Sequence, residues 1–158
     1  MKYREWETAA SLLFEQRATD RLATYWRGRI LPAAQYESFD RVLCDTDGST
    51  AALLEIKVRH YELRYFVAHK YMLSLSKVRS LRAAAKQRNA VPLVMVVCED
   101  DDFLLDLRDE SGTAIRTVKR INDRWYDETN GQTIWQPEEM MLFSGSRFLP
   151  LFTLPNLL

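Results

Sequence analysis

A chain of 158 residues, 47% of them hydrophobic, has the length and apolar content of one globular domain with a single core, residues 1–158. Its 22 Lys and Arg balance 22 Asp and Glu, so overall charge selects neither a nucleic-acid nor a membrane partner. No uncharged apolar stretch reaches the ~18 residues of a membrane span, and the charged start "MKYREWETAA" lacks a secretory apolar core, so an intracellular, cytoplasmic protein is expected.

In chain order, "WETAASLLFEQ" (Trp6 to Gln16) carries Ala9, Ala10, Leu13 and Phe14 at helical spacing and predicts a first amphipathic helix. A second helix is expected around "DRLATYW", with Asp20 as its cap, and Pro32 stops it. Two strands follow within Phe39 to Arg59. From Tyr61 to Asn89 the sequence has no Gly or Pro and is rich in Ala, Leu, Lys and Arg, which predicts a long helix, or a turn followed by one. "PLVMVVC" (Pro92 to Cys98) reads as a strand buried on both faces, and "FLLDL" as another. Ser111-Gly112 marks a loop, "RWYD" and "QTIW" flank a hairpin turn at Asn130-Gly131, and "MMLF" predicts one more short strand. The order α, β, β, α, β, β implies an α/β layer with a mixed sheet covered by helices.

Charge is unevenly distributed. Nine Lys or Arg fall between Lys57 and Arg88 against one acid, Glu62, while seven acids and only Arg108 fall between Glu99 and Glu110. The segregation fits either a positive face for a polyanion or a solvated helix followed by an acidic loop. Cys44 and Cys98 lie in predicted strands without metal-ligand spacing, which predicts buried thiols. His60 and His69 are the only imidazoles, neither cysteine has a nucleophile's context, and no glycine-rich phosphate loop exists.

The strand pair raises a question, because it places Asp40, Glu55 and Lys57 in strand interiors. With Asp47-Gly48 as a two-residue turn, paired residues carry numbers summing to 95, which sets Asp40 opposite Glu55 on one face with Lys57 beside them. Opposed carboxylates destabilise a sheet unless a cation compensates them, and Mg²⁺ is commonly held by one or two carboxylates. The competing reading is a charged edge strand facing solvent, with Asp40 at its exposed start. Val42 and Leu53 on the acids' face, and Leu43 and Leu54 on the other, speak for burial of both faces.

An acid at a strand start, a hairpin, "EIK" (Glu55 to Lys57) on the next strand and a helix after it resemble the PD-(D/E)XK nuclease superfamily, over about residues 6–107. The resemblance implies a restriction-endonuclease-like αββαββ core with a mixed central sheet flanked by helices, followed by a short β-rich C-terminal extension over about 108–158. It implies an Mg²⁺- or Mn²⁺-dependent phosphodiesterase, an endonuclease rather than an exonuclease, acting on DNA in recombination, repair or phage DNA processing, with RNA left open. Asp40, Glu55 and the backbone carbonyl of Ile56 would hold the metal, and Lys57 would position the attacking water. Glu7 matches a first-helix glutamate, with Glu5 its rival. Lys77 matches a further helix lysine of Holliday-junction resolvases and phage nucleases, and it borders the apolar stripe Val67, Tyr71, Ser74, Val78, Leu81 and Ala85. Lys70, one heptad earlier, and Arg59 would join Lys77 at the phosphate backbone, and Arg79 fits solvent or nonspecific backbone contact. Arg120 and Arg124 would extend that surface. Resolvase-like members cut as dimers, which makes a homodimer an option, and a phage origin would mean host cytoplasm. Phe39 stands where the family name has proline.

Two other readings stay open. One is a noncatalytic nucleic-acid-binding module of the same fold. The other is an interaction or inhibitor protein using the aromatic tail Trp125, Tyr126, Trp135, Phe143, Phe148 and Phe152, residues that equally complete a core.

Overall fold

The computed structural model describes the backbone of residues 2–3, 9–35, 37–109, 113–126 and 133–158, with side chains for 9–35, 37–109, 113–119 and 136–158. A six-stranded mixed sheet, in the order β10-β7-β6-β4-β3-β2, forms its centre. These strands are β2 (Arg29–Pro32), β3 (Arg41–Cys44), β4 (Thr50–Val58), β6 (Val91–Val97), β7 (Asp102–Asp106) and β10 (Leu149–Pro150). Only β4 and β6 run parallel. Helices α1 (Ala9–Ala23) and α3 (Leu75–Gln87) pack against it, so the expected α-β-β-α-β-β core is present as α1, β3, β4, α3, β6 and β7. A second, antiparallel sheet joins β1 (Lys2–Tyr3), β8 (Ala114–Tyr126), β9 (Thr133–Phe143) and β5 (Tyr71–Ser74) in the order β1-β8-β9-β5. No helix among the described residues is long and apolar enough to cross a membrane.

Strand alternation sorts the core into two layers. Ala52, Leu54 and Ile56 of β4 meet Ala18, Leu22 and Trp26 on one side of the sheet. Leu53 meets Val78, Leu81 and Ala85 of α3, together with Met141 and Phe143 of β9, on the other. β6 is an unbroken apolar run because both of its faces are covered. Phe143 and Phe148 belong to the second layer, Phe152 is exposed, and the side chains of Trp125, Tyr126 and Trp135 lie outside the described residues. Both cysteines are buried and free, and burial pushes the Cys98 thiol up to about 12.

Several local expectations fail, each for a physical reason. The two N-terminal helices are one, α1, in which Asp20 is no cap but accepts from Gln16 Nε2 at 2.9 Å across one turn. Its buried side is Ala18, Thr19 and Leu22, whereas the predicted stripe fails, with Leu13 and Phe14 about half exposed. Trp26, just past the helix, anchors it by donating Nε1–H to the Cys44 carbonyl at 2.9 Å. Trp26→Phe, which keeps an aromatic ring but removes the indole N–H from that carbonyl and leaves part of the buried volume empty, should cost about 1–3 kcal/mol in a urea melt.

The helix expected from Tyr61 to Asn89 is interrupted. α2 (Leu63–His69) ends at Lys70, whose positive φ of 64° turns the chain into β5. Tyr71 and Leu73 of β5 are buried and Met72 is exposed, a period of two enforced by pairing with Met140–Phe143 of β9. Tertiary pairing here overrides helix propensity. Within the predicted stripe, Val78, Leu81 and Ala85 are buried on α3, while Val67 is 61% exposed. α3 stops at Asn89, which adopts φ 51° while Ala90 N–H returns to the Ala85 carbonyl. "MMLF" is the end of β9 and no separate strand. Ser111-Gly112 and Asn130-Gly131 lie outside the described residues, although β8 and β9 do pair as an antiparallel hairpin.

Candidate active site

The β3–β4 turn differs from the two-residue form expected. Gly48 N–H bonds the Asp45 carbonyl and Asp45 N–H bonds the Ser49 carbonyl, so Thr46 and Asp47 are the central pair and Gly48, at φ 87°, takes the left-handed position after them. Cys44 therefore pairs with Thr50, but a register shift between Leu43 and Cys44 restores Arg41↔Leu54, Val42↔Leu53 and Leu43↔Ala52. Two irregularities thus cancel, and the predicted register holds where it matters.

Asp40 lies one residue before β3. Its N–H bonds the Leu54 carbonyl, and its Oδ2 accepts the Ile56 N–H at 2.7 Å, so the carboxylate takes the next place in the ladder after the backbone pairing ends. Glu55, 2% exposed, sits on β4 with its side chain toward α3. Its Oε1 receives Lys57 Nζ at 2.6 Å and Lys77 Nζ at 3.2 Å. Its Oε2 is buried and has no hydrogen-bond partner among the described residues. Leu73, Val78, Leu81, Val94 and Leu107 line the crevice that Glu55 and Lys77 share. Burial, and then the charge of Glu55, raise the pKa of Asp40, against the opposing pull of the Ile56 N–H and of Lys57 and Lys77.

The structure thus brings together Asp40, Glu55, Lys57 and Lys77, contributed by the β3–β4 hairpin and α3. Ile56 turns its side chain into the opposite core layer and gives its N–H to Asp40. Glu7 and Glu5 lie outside the described residues. Lys70 is not on the helix of Lys77 but is the exposed residue that ends α2, so the heptad relation between the two does not exist. Arg79 is exposed. Arg59 follows β4 and lies over the ring of Tyr71, 5.6 Å from its centroid. The side chains of Arg120 and Arg124 lie outside the described residues.

Part of the basic run is engaged within the protein. Arg64 pairs with Glu62, Arg82 donates to the Leu107 carbonyl, and Arg88 pairs with Glu37. The acids after Glu99 fix local structure as well: Asp100 accepts the Leu63 N–H, and buried Asp102 pairs with Arg21. Sequence reading also missed Glu15, whose Oε2 is 3.7 Å from Arg41. Once α1 runs from Ala9 to Ala23, Glu15 falls one turn before buried Thr19, a signal that the split into two helices concealed.

A divalent cation fits this chemistry. Two carboxylates converge, one with an unserved buried oxygen and the other disfavoured as an anion by its neighbour. No group of three or more His, Cys, Asp or Glu placed to hold a metal occurs among the described residues, where the acids of the site are Asp40 and Glu55.

No protein-family model matches the sequence, and no curated protein matches it. Among solved structures, Hjc from Archaeoglobus fulgidus, a Holliday junction resolvase from an archaeal hyperthermophile, is similar with a TM-score of 0.50 over 63% of this chain and 75% of that one. Sequence identity is 16%, so the likeness is one of fold, the restriction-endonuclease-like arrangement of a mixed sheet flanked by helices.

Proposed function

We propose that this protein is a metal-dependent nuclease of the PD-(D/E)XK superfamily that hydrolyses phosphodiester bonds in DNA, as an endonuclease in recombination, repair or phage DNA processing. The observation that carries the reading is the convergence of Asp40, Glu55, Lys57 and Lys77, with Glu55 Oε2 buried and unserved. The fold shared with a Holliday junction resolvase supports it. In this reading Asp40, Glu55 and the Ile56 carbonyl hold Mg²⁺ or Mn²⁺, which would supply Lewis-acid stabilisation of charge developing on the phosphate. The Lys57 ammonium orients the attacking water and donates to a phosphoryl oxygen. Lys77, on the other side of Glu55, holds a non-bridging oxygen of the same phosphate. Both lysines are about one-third exposed, so their amines reach a strand laid over the crevice.

The test is cleavage of single-stranded, duplex and branched DNA and of RNA in Mg²⁺, Mn²⁺ or EDTA, by the wild type and by Glu55→Gln. Cleavage that needs the metal and disappears in the variant is expected, with branched or duplex DNA preferred. Wild-type binding without cleavage under any condition would turn the reading into a noncatalytic module.

A further inference from the structure

Arg59 is partly buried, as are Arg41, Arg82 and Arg147; Arg82 and Arg147 donate to backbone carbonyls, and Arg147 also lies over a ring, that of Phe143. Arg21, Arg41, Arg88 and Arg108 each hold a carboxylate. Arg59 holds none among the described residues: Nη1 donates to the Val58 carbonyl at 3.0 Å, and the guanidinium lies over Tyr71. That floor is rigid, because Tyr71 is 1% exposed and meets Phe66 and Phe148 edge-on at 5.2 and 5.3 Å between centroids. Arg59 N–H also bonds the Val97 carbonyl, so the extended backbone of β4 continues through it. Tyr71 belongs to the core layer toward which Leu53 and Glu55 point. Arg59 therefore projects on the same face as Lys57, two residues further along, about 6.6 Å away.

A guanidinium is always charged, and its planar fork matches phosphate oxygens. Stacking on an aromatic ring fixes its plane in advance, so less freedom is lost when a ligand arrives. Successive phosphates of a nucleic-acid strand lie at a spacing comparable to that between Lys57 and Arg59. We infer that Arg59, held on Tyr71, is a phosphate clamp that takes the nucleic-acid phosphate next to the one lying over Glu55, Lys57 and Lys77. The inference rests on the nuclease reading for the position of the neighbouring phosphate, but its test needs no cleavage.

Binding of a fluorescent oligonucleotide is measured in EDTA across a salt series. Arg59→Ala should weaken binding uniformly across sequences and lower the slope of log affinity against log salt by about 1. Arg59→Lys keeps the charge and loses the stacked plane, so it should keep the wild-type slope with reduced affinity. A single neutral methylphosphonate is then moved along the strand. It should weaken the wild type at a position to which Arg59→Ala is indifferent, one phosphate from the position to which Lys57→Ala is indifferent. An unchanged slope in Arg59→Ala would overturn the clamp, full affinity in Arg59→Lys would remove Tyr71 from it, and indifferent positions that coincide or lie further apart would overturn the adjacency. Wild-type cleavage with these signatures absent leaves the nuclease standing without the clamp, and the signatures without cleavage do the reverse.

Discussion

Lys57→Ala should lower metal-dependent cleavage by roughly 10²–10³-fold, the cost of removing one preorganised donor from a developing charge. The fold should survive the change. Lys57 is about one-third exposed, and Lys77 Nζ, at 3.2 Å from the same Glu55 oxygen, remains to compensate the buried carboxylate. Lys57→Arg should restore little, because a broad planar fork does not fit where a compact ammonium sits 2.6 Å from Oε1. Single-turnover cleavage, with circular dichroism confirming the fold, measures both. Activity within a few fold of wild type in Lys57→Ala would remove this lysine from the chemistry.

Asp40→Asn is predicted to move stability and activity in opposite directions. Burial and the charge of Glu55 raise the folded-state pKa of Asp40 above its unfolded value near 3.8. The stability linked to such a group is fully present below the unfolded pKa and is lost as pH rises through the folded one. In the metal-free protein the surroundings therefore work against the Asp40 anion. Asparagine removes that anion while its carbonyl still accepts the Ile56 N–H. In EDTA at pH 7.5 the variant should melt higher than wild type by roughly 2–4 °C, as about 1 kcal/mol produces in a chain of this size. The gap should close as pH falls toward 4. Mg²⁺ should raise the wild-type melting temperature and leave the variant's unchanged, and cleavage should be lost. A variant less stable than wild type at pH 7.5 in EDTA would mean that the carboxylate is held by attraction.

The candidate site was legible in the sequence where the pattern was local and strict. An acid and a Glu-x-Lys on two strands that share a register could be paired by counting, and Val42, Leu43, Leu53 and Leu54 showed that both faces were covered. Lys77 was picked out by the family resemblance, and the buried positions Val78, Leu81 and Ala85 of α3 agree with its place at their border. What failed depended on distant partners. β5 looks helical until Met140–Phe143 pairs with it, and Lys70 must adopt a left-handed conformation to release the chain. The exposed Leu13 and Phe14 have helical spacing yet lie off the side of α1 that packs, since Trp26 and Leu22 decide which side faces the sheet. The turn was misplaced by one residue because "TDGS" satisfies two turn types, and only the register shift near Cys44 separates them. Tyr71 was read as helix stripe, which hid its role beneath Arg59.

Calorimetric titration of Mn²⁺ into the wild type and into Glu55→Gln tests the central claim most directly, because it asks whether the converging acids hold a cation at all. The prediction is saturable binding to the wild type, with proton release above the raised pKa of Asp40 suppressed, and loss of that binding in the variant. Equal binding by the two proteins, or none by the wild type, would contradict the assignment of Asp40 and Glu55 as a metal site.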